Sequence, residues 1–197
     1  MNDLADLLAL GDAARDGVHG AAVALQRRVA RVADIGALVD AAREFLQSEK
    51  LVTILARRAL AIDPASEQAW EVLVMGYAVH DPTARRRRTQ QAIERLLEIS
   101  PENRVAVRHK LRGLLETGDD LKAMLFARAT IQRDPSLFEA VRAIARVMAR
   151  TRDWDGAILE LRRFKERMLA SGDDHAKWVA REAADLEREL RRERRSA

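Results

Sequence analysis

The chain has 197 residues, 48% of them hydrophobic and 34% charged, with 35 Lys and Arg against 31 Asp and Glu for a formal charge of +4. There is no Cys, which excludes disulfides, thiolate chemistry and Cys-ligated zinc; the apolar content excludes a mainly disordered chain, and no apolar run approaches the roughly 20 residues that a membrane helix needs. Aromatics make up only 4%, so the core must come from Ala, Leu, Val and Ile; with no alternating β-branched runs, that composition selects packed helices over a sheet. The acidic start, with Asp3 and Asp6, differs from the basic start of a signal peptide, and the chain reads as cytoplasmic. Of the basic residues 30 are Arg and 5 are Lys. GC-rich codon usage accounts for such a bias, and a net charge this small argues only weakly for nucleic acid.

Residues 1–33 read as a helical pair or a degenerate repeat. Leu4, Leu7, Leu8 and Leu10 supply an apolar face at helical spacing, and Gly17 and Gly20 break the chain before the next helix. The Gly11, Gly17 and Gly20 set lacks both the Lys-Ser/Thr ending of a phosphate loop and a preceding strand, so it reads as a plain turn. Asp34 caps a helix reaching about Gln47, with Leu38, Ala42, Phe45 and Leu46 inward. A return helix over 51–62 places Val52, Leu55, Ala59 and Ile62 on one stripe. Asp63-Pro64 stops it, because Pro cannot continue the hydrogen-bond ladder and pushes the preceding residue out of helical space.

Ser66 caps the next outgoing helix, over 67–80, and its return helix spans about 84–99. The run 85–88 is four consecutive Arg, which span all sides of a helix and cannot form one stripe. From Asn103 onward Gly118 marks a turn within a helix pair, Ala123 a small residue at a helix crossing, and Pro135 the end of the unit. Asp173 opens a last helix with Trp178, Val179, Ala183, Leu186 and Leu190 inward, followed by a frayed, solvated tail over 191–195.

Three dipeptides, Asp63-Pro64, Ser100-Pro101 and Asp134-Pro135, place Pro at intervals of 37 and 34 residues, and Ala157 follows Ala123 by 34. With Trp70, Leu73 and Tyr77 at their spacing, the pattern over about 33–169 resembles the tetratricopeptide repeat. Departures are Val74 in place of a Gly, Ala127 and Leu161 where the family often has an aromatic, and Leu169 where it has Pro. The resemblance implies an all-α, right-handed superhelical solenoid of antiparallel helix pairs. About four repeats would occupy 34–170, after the helical pair of 1–33, with a capping helix and Arg-rich tail over 171–197.

The resemblance also implies that outgoing helices line a concave groove. Arg108 and Arg112 on one such helix, and Arg142, Arg146 and Arg150 on the next, recur every four residues and so stack along one stripe of each. Such a groove suits an extended or helical, acidic segment of a partner protein, since guanidinium groups make bidentate contacts with carboxylates. Glu116 and Glu139 lie near enough in sequence to neutralise it. The matching sites one repeat earlier, Gln68, Glu71, Met75 and Val79, are mixed and apolar, and the Asn residues with which some family members clamp chaperone C-terminal carboxylates are missing. His19, His80, His109 and His175 have no metal-ligand spacing, and no Ser sits in a nucleophile motif. The expectation is therefore a non-catalytic adaptor or assembly factor without a cofactor. The alternative is a nucleic-acid-binding repeat protein that uses 85–88 and the tail, and self-association is a further option.

Overall fold

The structure is a computed structural model that describes residues 3–82, 84, 86–171 and 174–197. Among the described residues all regular structure is α-helical: α1 (Asp3–Arg15), α2 (Ala21–Arg31), α3 (Ile35–Glu44), α4 (Glu49–Ile62), α5 (Glu67–His80), α6 (Arg87–Ile99), α7 (Arg104–Glu116), α8 (Asp120–Arg133), α9 (Phe138–Arg150), α10 (Trp154–Ser171) and α11 (Asp174–Ser196). They fall into two compact units, Met1–His109 and Lys110–Ala197, whose boundary lies within α7.

In the first unit each helix packs on its sequence neighbour or the next but one: α1 on α2 and α3, α2 on α4, α3 on α4 and α5, and α5 on α4 and α6. Leu7, Leu25, Leu38, Leu55 and Leu96 are fully buried along this stack. Two glycines permit the closest approaches. Gly11 lies within α1 against the Phe45 ring, where an added Cβ would stand 2.3 Å from ring carbons; it is thus a packing site, and the turn belongs to Gly17 and Gly20, at φ 77° and 79°. Gly76 faces Val52, whose Cγ1 would lie 2.6 Å from a Cβ. The bulk of Val52 at the crossing of α4 and α5 is thus matched by a missing side chain opposite.

In the second unit α9 packs on α8, α10 and α11, and α10 packs on α11. Val141, Ala145, Ala157, Leu161, Phe164, Val179, Ala183 and Leu190 form the core, and the rings of Phe138 and Phe164 stack at 5.8 Å.

The repeat is written in the turns. After α4 and α8, Asp63 and Asp134 donate backbone N–H to the carbonyl four residues back and accept the N–H of Ser66 and Leu137, at 3.1 and 3.3 Å; Ser100 does the same toward Asn103 at 3.0 Å. Within the helix pairs, Thr117-Gly118-Asp119 and Thr151-Arg152-Asp153 share one bond pattern. Each Thr hydroxyl donates back into its helix. Each middle residue is left-handed, Gly118 at φ 74° and Arg152 at φ 64°. Each Asp carboxylate accepts an N–H at the start of the next helix, from Lys122 at 3.4 Å and from Gly156 at 3.0 Å.

Asp34 and Ser66 cap α3 and α5 as expected, accepting from the Ala37 and Ala69 amides at 3.2 and 3.3 Å. Several inward assignments need correction. Ile62, in the last turn of α4, is 37% exposed, and Trp178 is 56% exposed and stacks on His175 instead of entering the core. The buried line of α11 runs through Ala176, Val179, Ala180, Ala183, Leu186, Glu187 and Leu190. Trp178 sits one residue off it, about 100° round the helix. The tail is not frayed: α11 continues to Ser196, and Arg194 makes two bonds to Asp155 on α10, at 2.6 and 3.3 Å. Thr83, Arg85 and the expected opening residue Asp173 lie outside the described residues.

Candidate functional site

The site grows from the composition of α9. Ala140, Val141, Ala143, Ile144, Ala145, Val147 and Ala149 are all buried, so small side chains take up most of the circumference, and α8, α10 and α11 pack around it. What remains is a narrow strip, and the sequence places Arg142, Arg146 and Arg150 on it. Their four-residue spacing carries them along one line of the helix.

Arg142 is exposed. Arg146 is half-buried and held between two carboxylates of α11, with Nη2 donating to Glu189 Oε1 at 2.7 Å and Nη1 to Glu193 Oε1 at 3.0 Å. Burial by itself would lower the Arg146 pKa, but the two carboxylate hydrogen bonds outweigh it and raise the value above that of an ordinary guanidinium. Arg150 Nη1 donates to the Leu115 carbonyl at 2.8 Å and to Asp120 Oδ1 at 2.7 Å, tying the end of α7 to the start of α8. That arrangement satisfies a terminal carbonyl of one helix and a first-turn carboxylate of the next.

Arg146 and Arg150 come together in a cleft of about 340 Å³, whose other walls are Ala149, Trp154 and Glu193. Arg108 and Arg112 are both exposed on α7, Arg108 in the first unit and Arg112 in the second. The carboxylates paired with Arg146 and Arg150 are Glu189, Glu193 and Asp120, which are 43, 47 and 30 residues away in sequence. Such separations leave no local signal. Trp154, the first residue of α10, lines the cleft beside these two arginines.

The first unit treats the equivalent face of α5 differently. The buried Asn103 caps α7 through Oδ1, which accepts the Ala106 amide at 3.0 Å, while its Nδ2 donates to Glu67 and Glu71 at 2.9 and 2.7 Å. Acidic groups of α5 are thereby engaged, and Val79 is left 42% exposed.

Arg86, Arg87 and Arg88, at the start of α6, are exposed, and two of them are paired. Arg86 and Arg88 both reach Glu49, at 3.4 and 2.5 Å, the Arg86 amide donates to Asp81 at 2.8 Å, and the Arg88 guanidinium lies 5.3 Å from the Tyr77 ring centroid. Among the described residues no helix is long and apolar enough to cross a membrane.

No protein-family model matches the chain, and no curated protein matches it. Solved structures do. The chain is similar to the crystal structure of MamA protein, with TM-score 0.58 and 15% identity over 84% of this chain and 91% of that one. It is also similar to YrrB, described as a TPR protein with an unusual peptide-binding site, with TM-score 0.52 and 17% identity over 80% of this chain and 81% of that one. At these identities the likeness is one of fold: an all-α helical repeat of the tetratricopeptide type.

Proposed function

We propose that the protein is a non-catalytic interaction adaptor whose α9 stripe, Arg142, Arg146 and Arg150, takes an acidic helical segment of a partner protein, with the exposed Arg112 of the same unit as a further cation. In this reading, repeats over 34–170 carry the binding surface, residues 1–33 precede them and residues 171–197 close their end. The observation that carries it is the seat of Arg146. The molecule's own α11 presents Glu189 and Glu193, one helical turn apart, and the guanidinium takes one carboxylate on each terminal nitrogen. A partner helix with carboxylates four residues apart would offer Arg142 and its neighbours the same geometry. A helix laid into a groove of helices is an established recognition mode, and the fold is one in which YrrB has a peptide-binding site.

The test is fluorescence anisotropy with a labelled helical peptide carrying Glu at every fourth position. Replacing Arg112 and Arg142 with Glu, both exposed, should weaken binding more than about tenfold, since each substitution replaces an attraction with a like-charge repulsion, and should leave the melting temperature unchanged. Equal affinity for the two proteins would refute the groove assignment. Affinity capture from the native cell, with the same double variant as control, then identifies the partner.

A further inference from the structure

A second cleft in the second unit has the opposite charge logic. At Arg146 two carboxylates meet one guanidinium, and at Arg28 two more, from Asp3 and Asp6, meet another. Between α10 and α11 the excess is reversed. A cleft of about 690 Å³ is lined by Arg162, Arg191, Arg194 and Arg195, with Ile158 and Leu159 as an apolar wall and Asp155 as the carboxylate at its rim.

Beneath it lies Glu187, only 8% exposed, the charged residue on the buried line of α11. Its Oε1 accepts from Arg162 Nε at 2.9 Å and from Arg191 Nε and Nη2 at 3.2 and 2.8 Å, while Lys165 Nζ stands 3.7 Å from Oε2. Arg194 is bidentate on Asp155. Four cations thus share two carboxylates, and a fifth, Arg195, has no ion pair among the described residues.

The orientation matters as much as the count. Glu187 takes the Nε side of Arg162 and Arg191, which leaves both terminal nitrogens of Arg162 and Nη1 of Arg191 available while the side chains are held in place. Prefixed guanidinium groups lose less entropy when they bind. The donors come from two helices and face one concavity from different directions. A planar carboxylate is satisfied by one guanidinium edge; a tetrahedral dianion has oxygens for several. The volume falls within the range of small-molecule sites and exceeds a bare phosphate, and the half-exposed Leu159 offers an apolar surface to whatever carries the anion.

We infer that the Arg162, Arg191, Arg194 and Arg195 cleft between α10 and α11 is a binding site for a phosphate-bearing ligand, carried either by a small molecule or by a phosphorylated side chain. The site is separate in its residues from the α9 stripe and does not depend on the adaptor reading.

Isothermal titration of the full chain with inorganic pyrophosphate at moderate salt tests it. Saturable one-site binding is expected, weakened about tenfold or more by Arg162→Ala with Arg195→Ala and by Arg195→Ala alone to a lesser extent, since each removes charge-assisted bonds. Arg128→Ala with Arg133→Ala, which removes the same charge from exposed positions of α8, should leave the affinity unchanged. Arg195 lies in the exposed last turn of α11 and carries no packing, so its variant folds. A phosphoserine peptide that binds more tightly than pyrophosphate identifies a phosphorylated protein as the source, and the reverse order identifies a small molecule. Absence of saturable heat, an equal loss in the α8 control, or a Glu-containing peptide that binds as tightly as pyrophosphate would each overturn the inference.

Discussion

Arg152 adopts the left-handed conformation that Gly118 adopts one repeat earlier, but it has a Cβ and is exposed. A left-handed L-residue costs about 1–2 kcal/mol, and Gly gives back part of this through the greater entropy of its unfolded chain. Arg152→Gly should therefore raise stability by about 0.5–1 kcal/mol in chemical denaturation, and Gly118→Ala should lower it by about 1 kcal/mol. Gly76 makes the opposite case, since it is helical and fails on space alone. Gly76→Ala places a Cβ 2.6 Å from Val52 Cγ1. Despite the better helix propensity of Ala it should destabilise by about 1–3 kcal/mol, with Val52→Ala in the same chain recovering part of the loss in a double-mutant cycle.

At the scale of the element, α11 is held by an apolar line and by one nearly buried carboxylate. Burial opposes ionisation of Glu187, but hydrogen bonds from Arg162 and Arg191 and the charge of Lys165 prevail and hold its pKa below the ordinary value of 4.5. With the folded value below the unfolded one, the group stabilises the fold at any pH above 4.5, and that contribution disappears as pH falls through the folded value. Glu187→Gln should cost about 1–2 kcal/mol at neutral pH, a modest figure because its arginine partners are nearly half exposed and screened. Below the ordinary carboxylate range the melting temperatures of the two proteins should converge; a gap that persists there would mean that the side chain acts through packing. The same helix supplies the carboxylates on Arg146, so its residues both close the core and occupy part of the basic stripe.

At the scale of the whole molecule, binding of an acidic segment and folding should respond differently to salt. The Arg142 and Arg112 side chains are exposed, and attraction between exposed charges is largely screened beyond about 10 Å at 0.1 M salt. The core is apolar and built mainly of Ala, Leu and Val. Raising salt from 0.05 to about 0.5 M should thus weaken the acidic helical peptide by an order of magnitude or more while thermal unfolding followed by circular dichroism shifts little.

Much of the fold was legible because its signals are local. Asp34 and Ser66 cap where the hydrophobic pattern begins, the Asp-Pro and Ser-Pro steps end helices by backbone chemistry, and the spacing of Pro and Ala shows the repeat. The site was legible as a stripe only. That Arg142, Arg146 and Arg150 share a line of α9 follows from helical geometry, but their partners Glu189, Glu193 and Asp120 arrive from other helices.

The amino-acid order by itself determined the elements and their period, since propensity, capping and Pro stops act within a few residues of chain. Tertiary structure decided everything that depends on which helix lies opposite. It set Gly76 against Val52 and Gly11 against Phe45, turned Trp178 outward beside His175, and folded the Arg tail onto Asp155. Among the described residues it also distributed arginines of one chemistry between those already neutralised, such as Arg146, and those with donors to spare, such as Arg162. Charge pairing is a property of distance in space, and no periodicity along the chain carries it.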